Sequence, residues 1–493
     1  MKLTSKLFTF LMIIALPILS RAQLTTSDNI DVFIKSKMQQ RNIPALQIAV
    51  VRSGKVVKLS HYGTANLEYA VPATDQTVFP INSITKAFVG VAIMQLAEEG
   101  KLKIHDPISK YLDSLPVNWQ SLTLQQLLTH TSGLPDIIDE DEQVFGGGEQ
   151  AAWKRVTSLP LLSKPGEKFS YNQTGYVALG KIITKLSGMH FTKFITEKQF
   201  KIAGMPLTRF GDSYDVVPNS AGAYTMYKMV NGNFIRNNTP GISYIQFPEF
   251  YRTAAGIMST AQDMANWIIA LKDGRLLKEQ PSIETMFTAA LLNNGKIGGF
   301  NALTNGYALG WPTVTRSDHP AVAPVGGGRN ALFVYLKDDL SIVILTNLMG
   351  SSPERMIDEI AGYYINDMHE ANGFGLPVGI KKLRAELLKK GFEHPLTTVE
   401  SLKKKEPAID LNEQDLNAWA YQLLAQKDHV KALAIFQLNT ILYPTSANVY
   451  DSLAEIFEVM ENQPAALINY KKVLVLDPGN KNAIARIKAL SGK

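Results

Sequence analysis

Apolar residues change their spacing along this chain, and the changes predict both its elements and its divisions. Residues 46–51 and 56–60 read as two strands around the turn Ser53-Gly54, and 331–335 pairs with 341–346 across the polar turn Lys337-Asp338-Asp339. Between these pairs, residues 87–102 carry Val91, Met94, Leu96 and Ala97 at helical spacing, which predicts a buried helix. Strands toward both ends with helices between them predict an α+β domain, whose two ends pair in one antiparallel sheet flanked by helices.

Beyond Ile365 the pattern changes. Residues 366–410 are charged, contain Pro377, Pro395 and Pro407, and show one helical stretch near 381–390, which predicts a linker. From Leu411 onward Ala432 and Ala466, Phe436 and Tyr470, Leu442 and Leu476, and Pro444 and Pro478 recur 34 positions apart, the period of a tetratricopeptide unit. Residues 411–493 are therefore expected to form a small all-α domain of tetratricopeptide-like repeats. Two such repeats are fewer than a free-standing stack needs, so the tail is expected to lean on the preceding domain or on a protein partner.

The first 22 residues stand apart from everything after them. Lys2 and Lys6 precede the apolar run 7–19, and Ser20-Arg21-Ala22 puts small residues where a signal peptidase reads. That run is shorter than the roughly 20 residues of a bilayer span, and Pro17 interrupts it. A signal peptide over 1–22, one domain over 23–365 and a secreted or periplasmic mature protein without a membrane span follow.

Composition narrows the chemistry. At 493 residues, 45% apolar and 19% charged, the chain can bury more than one core. With no cysteine it has no thiolate nucleophile and no disulfide. The net charge of +6 includes Lys2, Lys6 and Arg21 of the predicted signal, so nucleic acid is not an expected partner. Eight histidines contain no His-Glu-x-x-His spacing, and no Gly-x-Ser-x-Gly element surrounds any serine. Neither a metal, nor a cofactor, nor an α/β-hydrolase is expected.

Ser83-Ile84-Thr85-Lys86 opens the predicted buried helix. A spacing of three puts both side chains on one helix face. A serine hydroxyl attacks a carbonyl well only when a neighbouring base takes its proton, and a lysine does so once burial lowers its pKa. Unpaired amides at a helix start can hold an oxyanion, which makes the N–H of Ser83 a candidate donor. The second Ser-x-x-Lys, at Ser401 and Lys404, lies among charges and reads as chance.

Residues 79–88 (FPINSITKAF), 102–112 (LKIHDPISKYL) and 127–135 (LLTHTSGLP), then 169–180 (FSYNQTGYVALG), 254–263 (AAGIMSTAQD), 306–311 (GYALGW) and 343–347 (VILTN), carry a family pattern in order. The stretch from about 30 to 365 resembles the serine β-lactamase and penicillin-binding-protein family, in the branch of class C β-lactamases, D-alanyl-peptidases and related esterases. The resemblance implies Ser83 as nucleophile, Lys86 as its base and Tyr171 as proton relay, with the cationic lysine favouring the phenolate. It places Gln173 where asparagine is usual, as a ligand of Lys86 or substrate. The family's third element carries lysine or histidine, but here the matching stretch is Pro324-Val325-Gly326-Gly327-Gly328-Arg329. The N–H of Gly327 is the expected second oxyanion donor, and Gly326 and Gly328 let substrate approach the strand. Arg329 or His319 is left to supply a cation. His130 is expected to hold a loop rather than move protons.

These readings imply an exported serine hydrolase that forms an acyl-enzyme on an ester or a D-amino-acid peptide. Losing the cation weakens recognition of the carboxylate that β-lactams and D-alanyl peptides carry. The alternatives are a β-lactamase, or a catalytically weak penicillin-binding-like sensor or scaffold that acts through its helical repeats.

Overall fold

The computed structural model describes residues 26–139, 143–230, 233–365, 368, 376–425 and 428–491. The expected signal peptide lies outside the described residues.

The two ends of the first domain meet in one sheet, as the strand pattern predicts. Strands Ala45–Arg52 and Lys55–Asn66 turn at Ser53-Gly54, both at positive φ. Ala45–Arg52 then pairs antiparallel with Leu340–Thr346, setting Leu46 opposite Thr346 and Ile48 opposite Ile344. Asn330–Tyr335 lies on the far side of Leu340–Thr346 in a nine-stranded sheet.

Both faces of that sheet are covered, so its central strands are apolar throughout rather than alternating. Leu46, Ile48 and Val50 point to one core with Ile30, Ile34, Met356 and Ile360, from the helices Thr26–Arg41 and Glu354–Ala361. Ala45, Ala49 and Val51 point to the other, which contains Trp267 of the helix Ala261–Lys272.

The second core continues into a helical layer around Thr85–Glu98. Every residue from Thr85 to Leu96 is buried, so this helix is central rather than amphipathic. Phe88 stacks on Trp267 at 3.8 Å, and Trp267 stacks on Trp311 at 5.5 Å. Such aromatic pairs add about 0.5–1.5 kcal/mol each beyond the area they bury, which locks the helix against the sheet side of the domain.

The segment expected as a linker differs from that expectation. It holds two helices, Val378–Lys390 and Pro395–Lys405, whose Ile380, Leu383, Leu387 and Val399 share a core with Leu416, Trp419, Ile435 and Phe436. Pro377 and Pro395 sit at helix starts, where a missing N–H costs nothing, instead of breaking chain structure. After them, helices begin at Glu413, Ala447 and Lys481, in an all-helical region that repeats every 34 residues. The helix Val378–Lys390 is tied to the first domain, with Lys381 bonding Asp318 at 3.0 Å. No helix among the described residues is long and apolar enough to cross a membrane.

Candidate active site

Ser83 sits in a single turn, Asn82–Ile84, that leads into the buried helix. The turn is held from two sides. Ile81 donates its N–H to Ile257 O at 2.9 Å, and Asn330 Nδ2 donates to Pro80 O at 2.8 Å. Ser83 itself remains partly exposed, while Lys86 is fully buried one turn further on.

Lys86 Nζ lies 3.5 Å from Ser83 Oγ and donates to Gln173 Oε1 and Ala254 O, both at 2.7 Å. Both strong partners are neutral. Burial therefore dominates and pushes the amine down to about 7, with Asp136 opposing part of the shift. A lysine near 7 can accept a proton at neutral pH.

Tyr171 comes from the loop before the helix Thr174–Ser187 and hydrogen-bonds to Ser83. Its ring also lies against the amine, 4.8 Å from Lys86 Nζ. Burial raises its phenol well above the ordinary value, only partly opposed by the bond to Ser83. This corrects the expectation of a phenolate favoured by the lysine. Desolvation thus disfavours the phenolate, and the Tyr171 hydroxyl can both donate and accept.

The loop is fixed by residues the sequence did not single out. Asp136 accepts from the amides of Gln173 and Ile137 at 2.9 and 2.8 Å, and Thr174 Oγ1 donates to Pro135 O at 2.7 Å. Burial raises the Asp136 carboxyl. The only sequence signal for Asp136 was its place directly after the family-like stretch ending at Pro135. Ala254 O had none, because a backbone acceptor leaves no mark on residue type.

His130 lies behind Tyr171, ring centroids 4.3 Å apart, and its Nδ1 accepts from the Asn172 amide at 3.3 Å. Burial and the charge of Lys86 keep it far below its ordinary pKa, so it is a neutral support for the loop. Tyr171 also meets Phe300, at 5.0 Å between centroids, which extends an aromatic wall along the cleft.

The glycine hairpin forms the opposite wall. Val325–Gly326 pairs with the start of Asn330–Tyr335, and Gly327 and Gly328 turn the chain at φ +58° and +59°, closed by Arg329 N–H to Gly326 O at 2.9 Å. A Cβ on Gly326 would fall 2.0 Å from Ile81 O and 3.2 Å from Ser83 N. Glycine is what allows this edge to reach the nucleophile. The segments bearing the two expected oxyanion donors, Ser83 and Gly327, therefore face each other. Gly327 and Gly328 are exposed at the edge.

Neither expected cation takes the vacant place. Pro324 is buried, with its carbonyl accepting from Leu332 N at 2.9 Å. His319 bonds Asp338 at 2.8 Å, beside the turn that follows Tyr335. That is the other end of a six-residue strand from the hairpin, about 20 Å away at the usual rise. Arg329 is 1% exposed, bonds Ser243 Oγ at 2.8 Å, and is pushed by burial down to about 10. Among the described residues no group of three or more His, Asp or Glu clusters as metal ligands would.

One sheet closed by both domain ends thus packs on a buried central helix, which a serine-bearing turn leads into. The beta-lactamase family model matches residues 30–364, and the chain belongs to that family. Protein flp of Staphylococcus aureus (strain MRSA252) is 28% identical over 355 residues, covering 69% of this chain and 67% of that protein. The octameric penicillin-binding protein homologue from Pyrococcus abyssi superposes with a TM-score of 0.57 at 25% identity, covering 72% of this chain and 81% of that one. The D-amino acid amidase from Ochrobactrum anthropi SV3 superposes with a TM-score of 0.57 at 20% identity, covering 69% and 99%.

Proposed function

We propose that this chain is an exported serine hydrolase that acts through an acyl-enzyme on carboxylic esters or D-amino-acid amides. The observation that carries it is a fully buried lysine amine whose strong hydrogen-bond partners are neutral, 3.5 Å from the hydroxyl of a partly exposed serine. Ser83 Oγ attacks the carbonyl carbon as its proton passes to Lys86. The amides of Ser83 and Gly327 hold the oxyanion. The proton then reaches the departing alkoxide or amine through Tyr171, the C–O or C–N bond breaks, and an ester on Ser83 remains. A water, losing its proton to the same pair, attacks that ester and releases the carboxylic acid.

The uncharged third element favours esters and amides without a carboxylate beside the scissile bond. The aromatic wall of Phe300 and Tyr171 suits an apolar group on the acyl side. The D-amino acid amidase shares this fold, which supports including amides among the candidate substrates. Cleavage of a signal peptide after Ala22 and a protein partner for tetratricopeptide-like repeats complete the proposal.

Turnover of p-nitrophenyl esters, nitrocefin and a D-amino-acid amide by the full chain and by Ser83→Ala tests it. We expect ester or amide turnover that falls about 10⁴-fold or more in the variant. Turnover that survives the substitution rejects the acyl-enzyme, and nitrocefin as the best substrate would move the chain to the β-lactamase reading.

A further inference from the structure

Lys86 holds its amine between two aromatic rings. Nζ lies over the ring of Tyr171 at 4.8 Å and over that of Tyr176 at 5.1 Å, both inside the roughly 6 Å at which a ring face attracts a cation. Tyr171 has a second task, its bond to Ser83. Tyr176, on the helix Thr174–Ser187, spends its hydroxyl elsewhere: it donates to Leu128 O at 2.8 Å and is hydrogen-bonded to Tyr307. Burial holds both of those phenols well above the ordinary value, so neither loses its proton at neutral pH. Tyr176 meets the amine with its ring alone.

The remaining neighbours orient the amine. Gln173 Oε1 and Ala254 O, both at 2.7 Å, accept two N–H bonds, which turns the third position, a lone pair in the free amine, toward Ser83 Oγ at 3.5 Å. Once Ser83 gives up its proton, an ammonium stands in a fully buried site. Asp136 attracts it, although that carboxylate is already engaged by the amides of Gln173, Ile137 and Thr174. His130 adds no charge, because burial and Lys86 keep it neutral, and its ring packs 4.3 Å from Tyr171 and 5.1 Å from Tyr176. From the helix that supplies the Ala254 carbonyl, Arg252 is held by Asp215 at 2.6 Å. Two neutral acceptors, one carboxylate and two ring faces thus surround the charge.

We propose that Tyr176 is a positioning residue for acyl transfer: with Tyr171 its ring face forms an aromatic cage that holds Lys86 as it becomes an ammonium. This deepens the acyl-enzyme reading and rests on it. The negative face of a ring attracts an ammonium and does little for a free amine, so the cage favours transfer of the proton from Ser83 Oγ to Nζ as the Oγ–C bond forms. Pinned at its far edge by Leu128 O, the ring also keeps the amine on Ser83. The cage opposes desolvation, so its removal should push Lys86 further below about 7.

NMR titration of the full chain labelled with [ε-¹³C]lysine tests this, the Lys86 signal being the one lost in Lys86→Met. Tyr176→Phe keeps the face and should leave the midpoint within about 0.3 of a pH unit, whereas Tyr176→Leu should lower it by about half a unit or more. Should the leucine variant not fold, Tyr176→Phe with a trifluorinated ring keeps the shape but drains the face, and the same fall is expected. A midpoint equal in the phenylalanine and trifluorinated variants overturns the proposal. So does a fall in Tyr176→Phe as large as in Tyr176→Leu, which would assign the effect to the hydroxyl. The titration is read without turnover, so its failure is separate from failure of the hydrolase reading.

Discussion

The cleft around Ser83 and the helical region after Leu376 are built in opposite ways. In the first domain, Ala45 bonds Asn347 and Pro80 bonds Asn330, partners some 300 and 250 positions apart, so the site exists only when both domain ends close. In the tail each helix packs mainly on its sequence neighbours, as Glu413–Ala425 does on His429–Leu442, and the pattern repeats. A site assembled over long distances can bury a lysine among neutral partners, whereas a stack of local hairpins offers mainly surface. The pair Ser83 and Lys86 belongs to the first region, and the second is built from local contacts.

The sharpest way to break this contrast is to remove the buried base. Lys86→Met keeps the volume and the burial but loses the proton acceptor, and kcat/KM toward p-nitrophenyl esters should fall about 10³- to 10⁴-fold. A loss under tenfold would show that the buried amine is structural. Gly326→Ala tests the closure from the other side. Its Cβ must push the hairpin off Ile81 O, and because a misplacement of about 1 Å at a reacting centre can cost about 10²-fold, a drop of that order in kcat/KM is expected.

The pH profile is smaller in scale and more specific. Lys86 accepts protons only as the free amine, so kcat/KM should fall about tenfold per pH unit below about 7 and level off above it. Stability carries the same signature. Between about 7 and the ordinary lysine value the unfolded chain binds a proton that the folded chain does not, so stability should rise with pH across that window. A flat rate profile from pH 5 to 9 would contradict the assignment. The smallest effect expected is from ending the chain after Ile365. With the site contained in the first domain, kcat/KM should change by less than about tenfold, under about 1.4 kcal/mol. Ending it after Asp410 instead strips the partners from Ile380, Leu383 and Leu387, and soluble yield should fall.

Much of the first domain was legible in the sequence because its signals are local. Strand runs, the turn at Ser53-Gly54 and the spacing of Ser83 and Lys86 all depend on neighbours a few residues away. Residues 366–410 misled for a local reason too: prolines and lysines read as linker, yet Pro377 and Pro395 start helices and Lys382, Lys389, Lys390 and Lys403 to Lys405 lie exposed on their outer faces. The third element was harder. Pro324 announced that a cation is missing, but whether Arg329 or His319 replaced it depended on where the strands end.

By itself the sequence determined that a serine and a lysine lie three positions apart at the start of a buried helix, that the sheet draws on both ends of residues 30–365, and that the tail repeats every 34 positions. The tertiary structure alone decided that burial lowers that lysine, with Gln173 and Ala254 as neutral partners at its amine and Asp136 opposing part of the shift. It also sealed Arg329 against Ser243 and left His319 at the far end of the sheet. The physical reason is range: a helical turn sets which side chains are adjacent, whereas desolvation and charge depend on everything that folding brings around them from distant parts of the chain.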